Sequence, residues 1–96
     1  GLSPDLMLPA DGVYVSYTEV AGTRLKGCTN IGVRPTFDGV KRVVETHLLD
    51  FEGDLYGQVA SIELIHMLRP EQKFEGPEIL IAQIGRDVAA TRTYFQ

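Results

Sequence analysis

The sequence predicts an all-β domain, an antiparallel barrel or sandwich plugged by one helix at its C-terminal end. Three observations predict it. Four runs rich in valine, isoleucine, threonine and tyrosine follow one another, short Gly-, Pro- or Asp-containing turns separate them, and a single stretch of helical periodicity comes last.

The lead-in "GLSPDLMLPADG" carries Pro4, Pro9 and Gly12 and reads as irregular. "VYVSYTEV" (13–20) is the first strand, because valine and tyrosine fit a pleated, half-buried surface. Ala21, Gly22 and Thr23 form a hairpin turn into "RLKGCTNIGV" (24–33), where Gly27 and Gly32 mark bulges or close backbone approach. Residues 34–41, "RPTFDGVK", read as a loop, since Pro35 breaks a ladder and Asp38-Gly39 is a strong turn pair. A third strand, "RVVETHLLDF" (42–51), leads into the turn "EGDLYG" (52–57). The fourth strand, "QVASIELIHML" (58–68), alternates cleanly, with Ala60, Ile62, Leu64, His66 and Leu68 the expected core face.

"RPEQKFEG" (69–76) is a polar connection to the helix. Gly76 serves as N-cap, Pro77 suits the first helical position and Glu78 complements the helix dipole. Leu80, Ile81, Ile84, Val88 and Phe95 form an apolar stripe, leaving Arg86, Asp87 and Arg92 outward.

Ninety-six residues make one domain, 1–96, with no internal repeat or linker. A hydrophobic share of 44% and a charged share of 23% are those of an ordinary globular chain. No apolar run reaches the roughly 20 residues that cross a bilayer, and no signal peptide opens the chain, so a cytoplasmic protein without membrane partners is expected. The single cysteine, Cys28, fits a reducing compartment and is expected to be a small buried side chain. With 13 acidic against 9 basic residues the net charge is −4, which argues against nucleic acid and an oligonucleotide-reading barrel. A small phosphorylated ligand needs only a few local donors and stays open.

Generic catalytic motifs are missing: no G-x-S-x-G, no P-loop, no H-E-x-x-H and no paired cysteines. His47 and His66 are too few for a histidine metal site and are expected to be structural. Glu45 is more informative. It shares one face of its strand with Val43, His47 and Leu49, and a glutamate in so apolar a run is disfavoured. It is either an outward-facing residue near a rim or a carboxylate in a partly dry site, able to take a proton from a substrate hydroxyl.

Four strings in this order and spacing, "LPADGVY" (8–14), "NIGVRPTF" (30–37), "VETHLLDFEGDLYG" (44–57) and "LRPEQKFEG" (68–76), resemble riboflavin kinase. The likeness is to the C-terminal kinase module of bacterial bifunctional FAD synthetases, and it extends through the closing "IAQIGRDVAATRTYF". The resemblance implies a six-stranded Greek-key barrel with a helix packed beside it. It also implies transfer of the ATP γ-phosphate to the riboflavin 5′-hydroxyl, giving FMN and ADP, with Mg²⁺ as the metal. Glu45 falls on the family's general base. Arg34, Thr36, Arg69 and Glu71 fall on flaps around the flavin, and Asn30, Leu55 and Tyr56 on the nucleotide side. The family's metal-holding Pro-Thr-Ala-Asn segment would lie before Gly1, so no metal ligand is assigned, and Thr36 belongs to a separate element. A fused N-terminal FMN adenylyltransferase domain is expected in the intact protein. The alternative is a non-catalytic flavin-binding or assembly module on the same barrel.

Overall fold

The computed structural model describes residues 9–52 and 59–96. Within them β1 (Gly12–Val20), β2 (Thr23–Thr36), β3 (Gly39–Leu48) and β4 (Val59–Pro70) precede the helix α1 (Pro77–Tyr94). The strands form one antiparallel sheet in the order β3-β2-β1-β4. Three hairpin-linked strands with a fourth returning beside the first is Greek-key connectivity. Among the described residues the sheet is open, with β3 and β4 at its edges.

β1 is paired on both sides and is the most buried strand: Val13, Tyr14, Val15 and Val20 join Cys28, Ile31 and Leu49 in the core. The turn from β1 to β2 is two residues, Ala21 at φ 49° and Gly22 at φ 84°. Two positive φ values are what a primed hairpin turn requires, and glycine takes the second at little steric cost. On the sheet face away from α1, Thr29 donates to Ser16 Oγ at 2.8 Å and shares a second bond of 2.8 Å with Thr46 Oγ1. Those hydroxyls satisfy one another where the strands are dry.

Three expectations are corrected. Residues 34–41 are not a loop: β2 runs to Thr36, β3 starts at Gly39, and only Phe37-Asp38 turn between them. Pro35 is tolerated because β1 pairs with β2 only as far as Ile31, so among the described residues β2 has β3 on one side alone beyond that point. In β4 neither face is the core face. The strand lies at the sheet edge and its register against β1 shifts three times, so the expected face is split: Ile62 and Leu64 oppose Thr18 and Ser16 on one face while His66 opposes Val15 on the other, and Ile62 is exposed.

The third correction concerns α1, whose buried residues are Asp87 and Thr91, whereas Ile81 is 67% and Ile84 44% exposed. The C-terminal half holds the sheet: Tyr94 stacks on His66 with centroids 5.3 Å apart, and Phe95 meets Tyr17 at 5.1 Å. Arg92 adds a bidentate bond to Asp50 at 3.0 and 2.9 Å. The N-terminal half stands off, and the space it leaves is a cleft between Leu80, Ile84 and Val88 and the sheet.

A candidate active site between the sheet and the helix

Antiparallel register places directly opposed residues on the same face. One cross-strand row reads Glu45 (β3), Asn30 (β2), Val13 (β1), Arg69 (β4). The next reads His47, Cys28, Val15, His66. Glu45 and His47 therefore share a face, as their spacing predicts, and it is the face that α1 covers.

A cleft of about 340 Å³ opens over these rows, with Glu45, His47 and Arg34 on the sheet side and Leu80, Ile84 and Val88 on the helix side. A second cavity, of about 470 Å³, adjoins it under the connection 71–76 and shares Asn30, Arg34 and Leu80 with the first. Apolar helix residues facing a row of polar strand residues make an amphipathic slot, suited to a planar organic ring carrying a polar chain.

Arg34 lies between the two cavities. Its Nε is 3.3 Å from Glu45 Oε1, and its Nη1 is 3.5 Å from Glu71 Oε2. Glu45 is 61% exposed at the side chain, so this pair orients the carboxylate more than it stabilises the fold. Glu71 lies across Gly32: a Cβ built on that glycine would fall 1.7 Å from Glu71 Oε2. The close approach expected at Gly32 is therefore a carboxylate resting on bare backbone. Glu71 Oε2 and Asn30 Oδ1 are both buried without a hydrogen-bond donor, the Arg34 contact being too long for one.

The far wall of the cleft is fixed by Arg69 and Asp87. The expectation that Arg69 lies on a flap is corrected: it is in β4, its side chain 17% exposed and bonded to Asp87, so it cannot move freely over a ligand. Asp87, expected outward, is buried for the same reason and also accepts from Gln83 at 3.0 Å. Behind them burial pushes the Cys28 thiol above its ordinary range, and a hydrogen bond with Thr91 offsets part of that. The thiol is a wall of the cleft, not a nucleophile. Thr36, two residues beyond Arg34, is exposed next to the β2–β3 turn and lines neither cavity. Leu55 and Tyr56 lie outside the described residues.

The family model for riboflavin kinase (flavokinase) matches residues 2–95. The chain belongs to the riboflavin kinase family. Among curated relatives, bifunctional riboflavin kinase/FMN adenylyltransferases from Pseudomonas fluorescens and Haemophilus influenzae are 44% and 36% identical over 88% and 91% of this chain. That from Listeria monocytogenes is 38% identical over 98% of it. The chain spans only 28–30% of the length of these riboflavin kinase relatives. A solved structure named as a macrolide-efflux protein from Streptococcus pneumoniae shares the fold, with a TM-score of 0.77 at 32% identity over 88% of this chain and 28% of that one. Among the described residues no helix is long and apolar enough to cross a membrane.

The Mg²⁺ that the riboflavin kinase family implies does not fit the described residues. No three of His, Cys, Asp and Glu converge among them; Glu45 and Glu71 already flank the Arg34 cation, and Asp87 is bonded to Arg69. Asp87, Leu80, Ile84 and Gly32 are the site residues that sequence reasoning missed. Asp87 carried a usable signal: it lies three residues after Ile84 and seven after Leu80, on the apolar stripe itself, as anomalous there as Glu45 is on β3.

Proposed function

We propose that this chain is the flavin-holding part of a riboflavin kinase, the kinase portion of a longer protein that also carries an FMN adenylyltransferase domain. Its reaction is transfer of the ATP γ-phosphoryl group to the riboflavin 5′-hydroxyl, with FMN and ADP as products. The observation that carries this reading is Glu45 at the mouth of a cleft walled by Leu80 and Ile84. A flavin ring against the helix leaves its ribityl chain on the polar row, directed at Glu45. The hydroxyl oxygen attacks the γ-phosphorus while its proton passes to the Glu45 carboxylate, and ADP departs. Phosphoryl transfer asks the protein mainly for positioning and charge neutralisation, and Arg34 holds Glu45 in place for it. Asn30, the cross-strand neighbour of Glu45, belongs on this reading to the ribityl path, while Leu55 and Tyr56 remain candidates for the nucleotide side.

The closed six-stranded barrel belongs to the same proposal: further strands joining the edges β3 and β4 would complete it. The test is FMN formation by the intact protein from riboflavin, ATP and Mg²⁺. Formation of FMN supports the reading. Flavin fluorescence quenching with no FMN selects the non-catalytic flavin-binding module instead.

A further inference from the structure

Two buried oxygens, Glu71 Oε2 and Asn30 Oδ1, face the cavity beneath the connection 71–76 without a hydrogen-bond donor. A buried acceptor left unpaired is costly, and a carboxylate oxygen more so than an amide. Glu71 is held in this position by a missing side chain, because any Cβ at residue 32 would displace it. Beside it stand donors: the Arg34 guanidinium, 3.5 Å away, and Gln72, which lines the same cavity and whose backbone N–H donates to Glu71 Oε1 at 3.2 Å. Phe74 and Leu80 supply flat and apolar walls.

We propose that Glu71 reads the imide edge of the flavin ring. This rests on the flavin reading above and adds a specificity residue to it. The imide edge presents carbonyl, N–H and carbonyl in sequence. Arg34, Glu71 and Gln72 present donor, acceptor and donor, the complementary order. Adenine has no such edge, so this cavity selects the flavin and not the nucleotide. Asn30 Oδ1, one strand from Glu45, takes a ribityl hydroxyl on the way to the reacting end.

The experiment compares riboflavin with 3-methylriboflavin, whose imide N–H is replaced by N–CH₃, as substrates of the intact protein, reading kcat/KM for flavin phosphorylation. The wild-type protein is expected to lose roughly tenfold or more on the methylated substrate, the scale of one charge-assisted hydrogen bond. Glu71→Ala is expected to lose about as much on riboflavin and to treat the two substrates nearly alike. Equal wild-type rates on both overturn the proposal without any variant, and so does a methyl penalty that survives intact in Glu71→Ala. If riboflavin itself yields no FMN, the kinase reading falls and this inference falls with it.

Discussion

Arg69 on β4 grips Asp87 on α1 through two parallel hydrogen bonds, Nε to Oδ1 at 3.0 Å and Nη2 to Oδ2 at 2.8 Å. This bond sits midway along the helix, so it sets how far the N-terminal half stands from the sheet. Both side chains are largely buried, at 17% and 9% exposure, and solvent screening is weak there. Asp87→Asn keeps the shape and leaves the guanidinium without its counter-charge. A loss of roughly 3–5 kcal/mol is expected, at the level of a broken buried pair. Urea unfolding of wild type and variant measures it, and a loss under about 1 kcal/mol would show that the helix is held mainly by its C-terminal aromatics.

Glu45 has the opposite profile: it is exposed, and the proposed function makes it the proton acceptor. Glu45→Gln removes the proposed proton acceptor, leaves the side-chain volume and gives up only an exposed ion pair. Turnover of riboflavin by the intact protein should fall roughly 10²–10⁴-fold, with flavin affinity retained and stability within about 0.5 kcal/mol of wild type. Steady-state kinetics beside flavin titration separates the two effects. An unchanged kcat would remove Glu45 from the mechanism.

Two glycines should respond with opposite sign. A Cβ at Gly12 would fall 2.7 Å from the Arg69 carbonyl oxygen and 2.7 Å from Met67 Cε, and the carbonyl belongs to the paired β4 backbone. Gly12→Ala should destabilise by about 1–3 kcal/mol. Gly85 lies inside α1 with nothing within 4 Å of its would-be Cβ. Gly85→Ala should stabilise by about 0.8–1.0 kcal/mol through helix propensity alone. Thermal melts of both variants check the pair of signs.

Cys28 makes a pH prediction. Burial disfavours its thiolate, so the folded-state pKa lies above the ordinary thiol value of 9.0. The unfolded chain then gives up its proton first as pH rises. The contribution to stability is complete below pH 9.0 and declines from there toward the higher folded pKa. Unfolding free energy followed from pH 7 to 10 should fall at the upper end, and less in Cys28→Ala. The native thiol should also react slowly with iodoacetamide at pH 8 and quickly once denaturant is added. Fast alkylation of the native protein would contradict the burial argument.

The number and order of the four strands, the hairpin turn at Ala21-Gly22, the helix start at Pro77 and the shared face of Glu45 and His47 were legible in the sequence, while the bounds of β2 and β3 were not. Each depends on local preference: valine and tyrosine in pleated runs, glycine at positive φ, proline at a first helical turn, and a period of two along a strand. The motif strings added the family, because four of them stand in register. The sequence left open whether Glu45 faced solvent or a ligand, since period alone does not say what covers a face.

Tertiary structure decided the rest. Pro35 reads as a break until β2 is seen to have, among the described residues, only β3 beside it there. Asp87 reads as a surface carboxylate until Arg69, 18 residues earlier, reaches it. Ile84 reads as core until that same bond fixes the helix with its apolar N-terminal half facing an open cleft. Local sequence fixes which groups a segment carries, but pairing energies across strands and helix fix which are buried, and a partner distant in the chain leaves no local trace.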